Sequence, residues 1–348
     1  MKVGIIGYAG CGKTTFFNAL TGSDAEAQGG KTGRLNLREL KVPDERIDKL
    51  SAIFQPERTI YANIQLADIP GQAPGSGGGF DASFVAKMRE VDLLAIVVRA
   101  FEDPYSPDAP RPVGEASDML AELLLADLGV IERKIDRIKK DHSKATEREL
   151  LEKLQAALEA EKWLRDIELS PQEIESLSSY SFLTLKPVLL VVNTPEAMAD
   201  EASAAPVVAE LATLGLPVFA LSAKVEAEIA PLDPPEQLAF LSDLGIVGTA
   251  RDRFIRSAYA MLDLISFFTV GEDEVRAWTI RKGSTAQEAA GKIHTDLAKH
   301  FIRAEKMTTA DLLHFGSEAK GQEAGRFELK GKTYLPEDGD ILHIRANA

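Results

Sequence analysis

Residues Gly7 to Thr14 read Gly-Tyr-Ala-Gly-Cys-Gly-Lys-Thr, which has the spacing G-x-x-x-x-G-K-[ST] of a phosphate-binding loop. Such a loop cradles a polyphosphate chain. Its backbone N–H groups point inward, and the helix that follows contributes the partial positive charge of its N-terminus. Gly7 and Gly12 permit a close backbone approach that a Cβ would block. Gly10, Cys11, Gly12, Lys13, Thr14 and Thr15 are therefore expected around the phosphates. Lys13 should bridge the terminal phosphates and stabilise the charge that develops on them, and the Thr14 hydroxyl should bind Mg²⁺. Cys11 lies inside this loop, where a helix N-terminus is expected to lower a thiol pKa.

A phosphate loop alone does not specify a reaction. Asp68-Ile69-Pro70-Gly71 ends a later apolar stretch. An aspartate there can hold Mg²⁺ through its water shell, and the Gly71 N–H can reach a γ-phosphate. Gln72 follows directly and could orient an attacking water; residues 72–79 include four glycines. Asn193-Thr194-Pro195-Glu196 stands where GTPases of this class carry N-K-x-D. A guanine-reading aspartate accepts from the ring N–H and the exocyclic amine together. With Thr194 for the lysine and Glu196 for the aspartate, the case for guanine weakens. Ser222-Ala223-Lys224 matches a further loop on the base side. Two alternatives stay open beside ATP hydrolysis: a GTP-specific switch of the same fold, and a nucleotide-sensing binding protein whose hydrolysis is incidental.

The elements that must position these residues can be read from hydrophobic runs. Val3 to Ile6, Ile60 to Asp68, Leu93 to Val98, Val188 to Val192 and Val218 to Leu221 read as buried strands. Helical patterns separate them, as expected of a mostly parallel sheet covered on both faces. The interval from Val98 to Val188 is too long for one crossover. In it Leu124, Leu128, Ile131, Ile135 and Ile138 step by four and three; Leu150, Leu154, Ala157 and Leu164 keep that phase across Glu161. This predicts an inserted antiparallel helical hairpin with a turn over 140–146. Its face carrying Arg133, Lys134, Arg137, Lys139 and Lys140 is either a solvated face or a contact surface for an anionic partner. Beyond Leu264, strands at Val275 to Ile280, Phe327 to Leu329, Thr333 to Leu335 and Ile341 to Ile344, with a helix opened by the capping box at Thr285 and Glu288 and running towards His300, suggest a small α+β module. The expected domains are 1–110 with 186–263 (nucleotide binding), 111–185 (helical insertion) and 264–348.

The 348 residues carry a net charge of −14, which argues against a general nucleic-acid binder and against sequence-specific DNA recognition. From Leu264 onward there are 12 Lys/Arg and 13 Asp/Glu, so the last module is nearly neutral and the acid lies before it. That module could touch RNA while the remainder is repelled. No run of about 18 apolar residues offers a membrane span. The first strand begins at once, so no leader is expected, and the lone Cys11 excludes an intrachain disulfide; a cytosolic protein is expected.

With these motifs in this order, the chain resembles the YchF/Obg-like ATPase family of translation-factor-type P-loop NTPases. The likeness extends beyond the nucleotide motifs to Val98 through Asp103, Leu123 to Leu128, Ser222 to Ile229, Val275 to Ile280 and Phe301 to Glu305. It implies that the last module is a TGS domain of ubiquitin-like fold, that Thr32 completes Mg²⁺ coordination, that ATP is preferred to GTP through the N-x-x-E pattern, and that the partner is the ribosome or its RNA. The chain departs from the family pattern at Gly10 (usually Asn), Gln72 (usually apolar) and Asp108 (commonly His).

Overall fold

A computed structural model describes residues 1–22, 36–71, 79–104 and 108–347. Thr32 and Gln72 lie outside the described residues. The chain packs as two compact units, one of residues 1–38 and 65–254, the other of 39–64 and 255–348. The strands in chain order are β1 (Lys2–Ile6), β2 (Asn36–Lys41), β3 (Arg58–Ile60), β4 (Asn63–Asp68), β5 (Leu93–Arg99), β6 (Val188–Asn193), β7 (Val218–Leu221), β8 (Leu264–Thr269), β9 (Glu274–Arg281), β10 (Phe301–Thr308), β11 (Glu328–Lys330) and β12 (Asp340–Ala346).

The first unit is built on the sheet β2-β4-β1-β5-β6-β7. The pairs β1/β4, β1/β5, β5/β6 and β6/β7 are parallel. β5 and β6 are buried along their whole length, as strands covered on both faces must be. The order places the C-terminal ends of β1, β4, β5 and β6 side by side, the edge at which α/β sheets present ligands. Helix α1 (Lys13–Thr21) starts directly from the loop after β1, and Phe16 on its buried face packs edge-on against Phe254 at 5.3 Å.

Later come α2 (Glu45–Phe54), α3 (Ala82–Arg89), α4 (Pro112–Ile138) and α5 (Ala145–Glu159). The last two form the expected hairpin, closed by a short turn at His142–Lys144. Ile131, Ile138, Leu151, Leu154 and Leu158 share one buried cluster with Leu164. The helix does not run on to Leu164, however. Glu161 adopts a left-handed φ of 56° after α5 ends, and Leu164 returns to the core on a 3₁₀ turn. On the basic face, Lys134 is bound to Glu147 at 2.9 Å, whereas Arg133, Arg137, Lys139 and Lys140 are exposed.

The second unit carries the mixed sheet β11-β10-β12-β8-β9-β3. The helix Ala286–Ile293 lays Ala286, Ala289 and Ala290 onto Ile265, Phe267, Ile280 and Leu342. A helix across a mixed sheet is the α+β arrangement expected. Three details differ. The apolar stretch 60–68 is two strands, because β3 leaves it to pair in parallel with β9. Thr333 to Leu335 forms no strand; the Tyr334 carbonyl instead accepts from the Ala286 N–H at 2.7 Å, and its hydroxyl donates to Asp340 at 2.6 Å. The helix towards His300 breaks at His294, which turns extended and accepts from the Asp296 N–H at 3.2 Å to cap a second short helix, Thr295–Lys299.

Candidate functional site

The phosphate loop takes its shape from glycine. Gly10 and Gly12 have φ of 81° and 86°, a region that costs a side-chain-bearing residue strain. A Cβ on Gly12 would also run into the Asn193 amide. Lys13 is 8% exposed, and its ammonium donates to the Tyr8 carbonyl at 2.9 Å. The Asp68-to-Gly71 segment closes over it: a Cβ on Gly71 would meet the Lys13 ammonium and come within 2.6 Å of the Gly7 carbonyl. The lysine is thus held along the loop between the Tyr8 carbonyl and the Gly71 backbone. Thr14 and Thr15 are exposed on the first turn of α1.

Asp68 ends β4, its Cα opposite that of Ile5 at the end of β1. Burial pushes its carboxyl above the usual carboxylate range, with Lys13 pulling the other way. One hydroxyl and one carboxylate are hard oxygen donors, the kind Mg²⁺ takes when phosphates and water complete its shell. Among the described residues no cluster of three His, Cys, Asp or Glu side chains could hold a metal unaided. The residues present therefore fit a Mg²⁺ ion carried in with a nucleotide better than a resident ion.

The sequence-based expectation for Cys11 needs correction. The thiol is buried, and desolvation raises its pKa by more than nearby Lys13 and the loop amides lower it. The Lys13 ammonium lies 3.9 Å from its sulfur. Alkylation of Cys11 by iodoacetamide is therefore expected to be slow at neutral pH, to accelerate above the ordinary thiol range, and to be suppressed by Mg-ATP. Labelling followed by mass spectrometry measures this. Equal rates with and without nucleotide would remove the thiol from the enclosed space.

On the other flank of the loop, Asn193 links three segments. Its amide donates to the Cys11 carbonyl at 3.1 Å and its side-chain oxygen accepts from the Ala223 N–H at 3.0 Å. Three stretches far apart in sequence are thereby set in one frame. Thr194 is 2% exposed, and its hydroxyl donates to the Met198 and Leu221 carbonyls. Ser222 is also buried, and its hydroxyl has no hydrogen-bond partner among the described residues. Glu196 and Lys224 form an ion pair at the surface.

These residues, with Gly12 and Thr15, line an open cavity of roughly 630 Å³. The cavity also has Phe101 and Glu102 in its wall, which the motif reading did not place in the site. Their signal was positional: they follow β5 directly, at the ligand-bearing sheet edge. An aromatic there offers a face on which a base can stack. Behind the loop lies a smaller polar cavity, where buried Arg99 donates to the Asp108 carbonyl at 2.8 Å and Glu115 accepts the Arg99 N–H at 3.1 Å. Asp108 is thus held by its backbone beside the phosphate loop.

Comparisons with known proteins cover the whole chain. Residues 2–194 match the family model described as 50S ribosome-binding GTPase, and residues 264–347 match the YchF-GTPase C-terminal model, described as a protein of unknown function. The chain is 38% identical over 359 residues to the ribosome-binding ATPase YchF of Haemophilus influenzae, covering 99% of each. It is 36% identical over 363 residues to the protein of that name in Bacillus subtilis, and 33% identical over 366 residues to the Obg-like ATPase 1 of Caenorhabditis elegans. The structure of the Schizosaccharomyces pombe YchF GTPase superposes with a TM-score of 0.86 at 30% identity, covering 99% of this chain and 97% of that one.

Proposed function

The chain belongs to the YchF family of nucleotide-hydrolysing P-loop proteins, and from that premise we propose a Mg²⁺-dependent nucleoside triphosphatase that prefers ATP to GTP and works as a nucleotide switch on the ribosome. The observation that carries the nucleotide reading is the junction of the phosphate loop with the base-side cavity. Asn193 ties the Cys11 carbonyl to the Ala223 N–H, so one ligand can lie with phosphates at Lys13 and base at Glu196.

In this reading Lys13 and the loop amides stabilise charge developing on the γ-phosphate as water attacks it. Thr14, Asp68 (through water) and Thr32 are the proposed Mg²⁺ ligands. The ion, when bound with nucleotide, neutralises phosphate charge. Gln72 is the proposed group that orients the water. The preference for ATP rests on Glu196 and Thr194 standing where a guanine site has its aspartate and lysine. The ribosome enters through the names of the relatives and through the distribution of charge: the nearly neutral module after Leu264 can approach RNA while the acid lies before it. A cytoplasmic location follows from that partner, and no helix among the described residues is long and apolar enough to cross a membrane.

Base choice is the direct test. Calorimetric titration with non-hydrolysable analogues of ATP and GTP, each with Mg²⁺, is expected to give tighter binding of the ATP analogue. A GTP analogue bound ten or more times more tightly, about 1.4 kcal/mol, would replace this reading with the GTP-specific switch.

A further inference from the structure

Among the charged side chains that line the base-side cavity, Glu196 and Lys224 have opposite hydrogen-bonding character. Glu196 opens the short 3₁₀ turn Glu196–Met198 after β6, and Lys224 lies in the first turn of the helix Ala223–Ile229 after β7. β6 and β7 are parallel neighbours with Asn193 opposite Leu221, so the two loops leave the same sheet edge side by side. There the Lys224 ammonium contacts the Glu196 carboxylate, and the side chains are 69% and 51% exposed. So exposed a pair adds little to stability. Both partners keep free hydrogen-bonding capacity, and both line the cavity that also holds Phe101.

A carboxylate only accepts hydrogen bonds and an ammonium only donates them. The Watson–Crick edge of guanine presents the acceptor O6 beside two donors, N1–H and the 2-amine; the two donors together suit a lone carboxylate. The edge of adenine presents one donor, the 6-amine, beside one acceptor, N1. An acceptor next to a donor is the complement of adenine.

We propose that Lys224 is a base-specificity residue, its ammonium donating to adenine N1 while Glu196 accepts from the adenine 6-amine. The inference rests on the nucleotide-site reading above and adds a role for the lysine side chain. In that register guanine sets its O6 acceptor against the Glu196 carboxylate and its protonated N1 against the Lys224 ammonium, so neither side chain finds a partner. A site built to hydrogen-bond one pattern rejects the other by leaving its groups unpaired.

The test is a cycle of two proteins and three ligands. Full-length wild type and Lys224→Met are titrated with the Mg²⁺ complexes of ATP, GTP and 1-deaza-ATP, in which C–H replaces N1. Wild type is expected to bind 1-deaza-ATP about tenfold more weakly than ATP, about 1.4 kcal/mol. In Lys224→Met the two should bind within about twofold of each other, with GTP affinity undiminished. A penalty that persists in Lys224→Met, or no penalty in wild type, overturns the assignment to Lys224. GTP binding more tightly than ATP to wild type overturns the base reading itself, so the two failures are distinguishable.

Discussion

Lys13→Met is expected to lower the single-turnover rate of ATP hydrolysis by about a thousandfold, on the order of 4 kcal/mol of transition-state stabilisation. The size follows from preorganisation. The ammonium is already desolvated at 8% exposure and held by the Tyr8 carbonyl, with the Gly71 backbone against it. Little reorganisation then remains when negative charge grows on the γ-phosphate. Methionine keeps most of the buried stem volume and removes only the charge. Binding of Mg-ATP should weaken as well, because the ground-state phosphates already carry charge, but by less than the rate falls. Rapid-quench hydrolysis at saturating Mg-ATP measures the first effect and calorimetry the second. A single-turnover rate within tenfold of wild type would show that the lysine does not reach the transferred group.

Asp127→Ala is expected to destabilise the protein by about 3–5 kcal/mol, the cost of removing one member of a largely buried ion pair. Asp127 is fully buried on α4. Its carboxylate accepts from the Arg89 guanidinium at 2.8 Å, from the Thr184 N–H at 2.8 Å and from the Thr184 hydroxyl at 2.9 Å. Arg89, at the end of α3, donates in turn to the Tyr180 and Ser181 carbonyls at 3.1 and 2.8 Å. Alanine strands three donors at once. Asparagine retains an acceptor oxygen of nearly the same shape, so Asp127→Asn should fall between alanine and wild type. Urea unfolding followed by circular dichroism reads both. A loss below about 1 kcal/mol for alanine would mean that water or a rearranged Arg89 replaces the carboxylate.

The parts of the site legible in the sequence are those made by neighbours in the chain. Gly7 to Thr14 form a cradle because the cradle is mostly backbone. Glycines at 10 and 12 permit the turn, and the strand before and the helix after are short-range patterns. The five apolar runs likewise announced a mostly parallel sheet, because strands buried on both faces have almost no polar positions to hide them. The stepping leucines and isoleucines announced the hairpin for the same reason of periodicity. They carried the second helix too far, since a single left-handed residue at Glu161 ends it without interrupting the spacing of the core positions.

Charge partners and burial were not legible, because both depend on segments brought together from a distance. Asp127 reads as one acid among many on an amphipathic helix, yet it is the buried centre of a network reaching to Arg89 and Thr184. Cys11 follows a rule for helix N-termini in the sequence, but desolvation outweighs that rule once the folded loop buries the thiol. Residues 39–64 lie within the span expected to bind nucleotide, yet they pack with 255–348, because β3 pairs with β9 and the Arg46 guanidinium reaches Asp338 at 2.7 Å. The sequence by itself determined which residues form the glycine-shaped loop and at which sheet edge it stands. Only the tertiary structure decided that Asn193 locks the loop to Ala223 and that Lys224 meets Glu196, since hydrogen bonds between residues 30 or more apart, and ion pairs between separate loops, exist only after the strands have aligned.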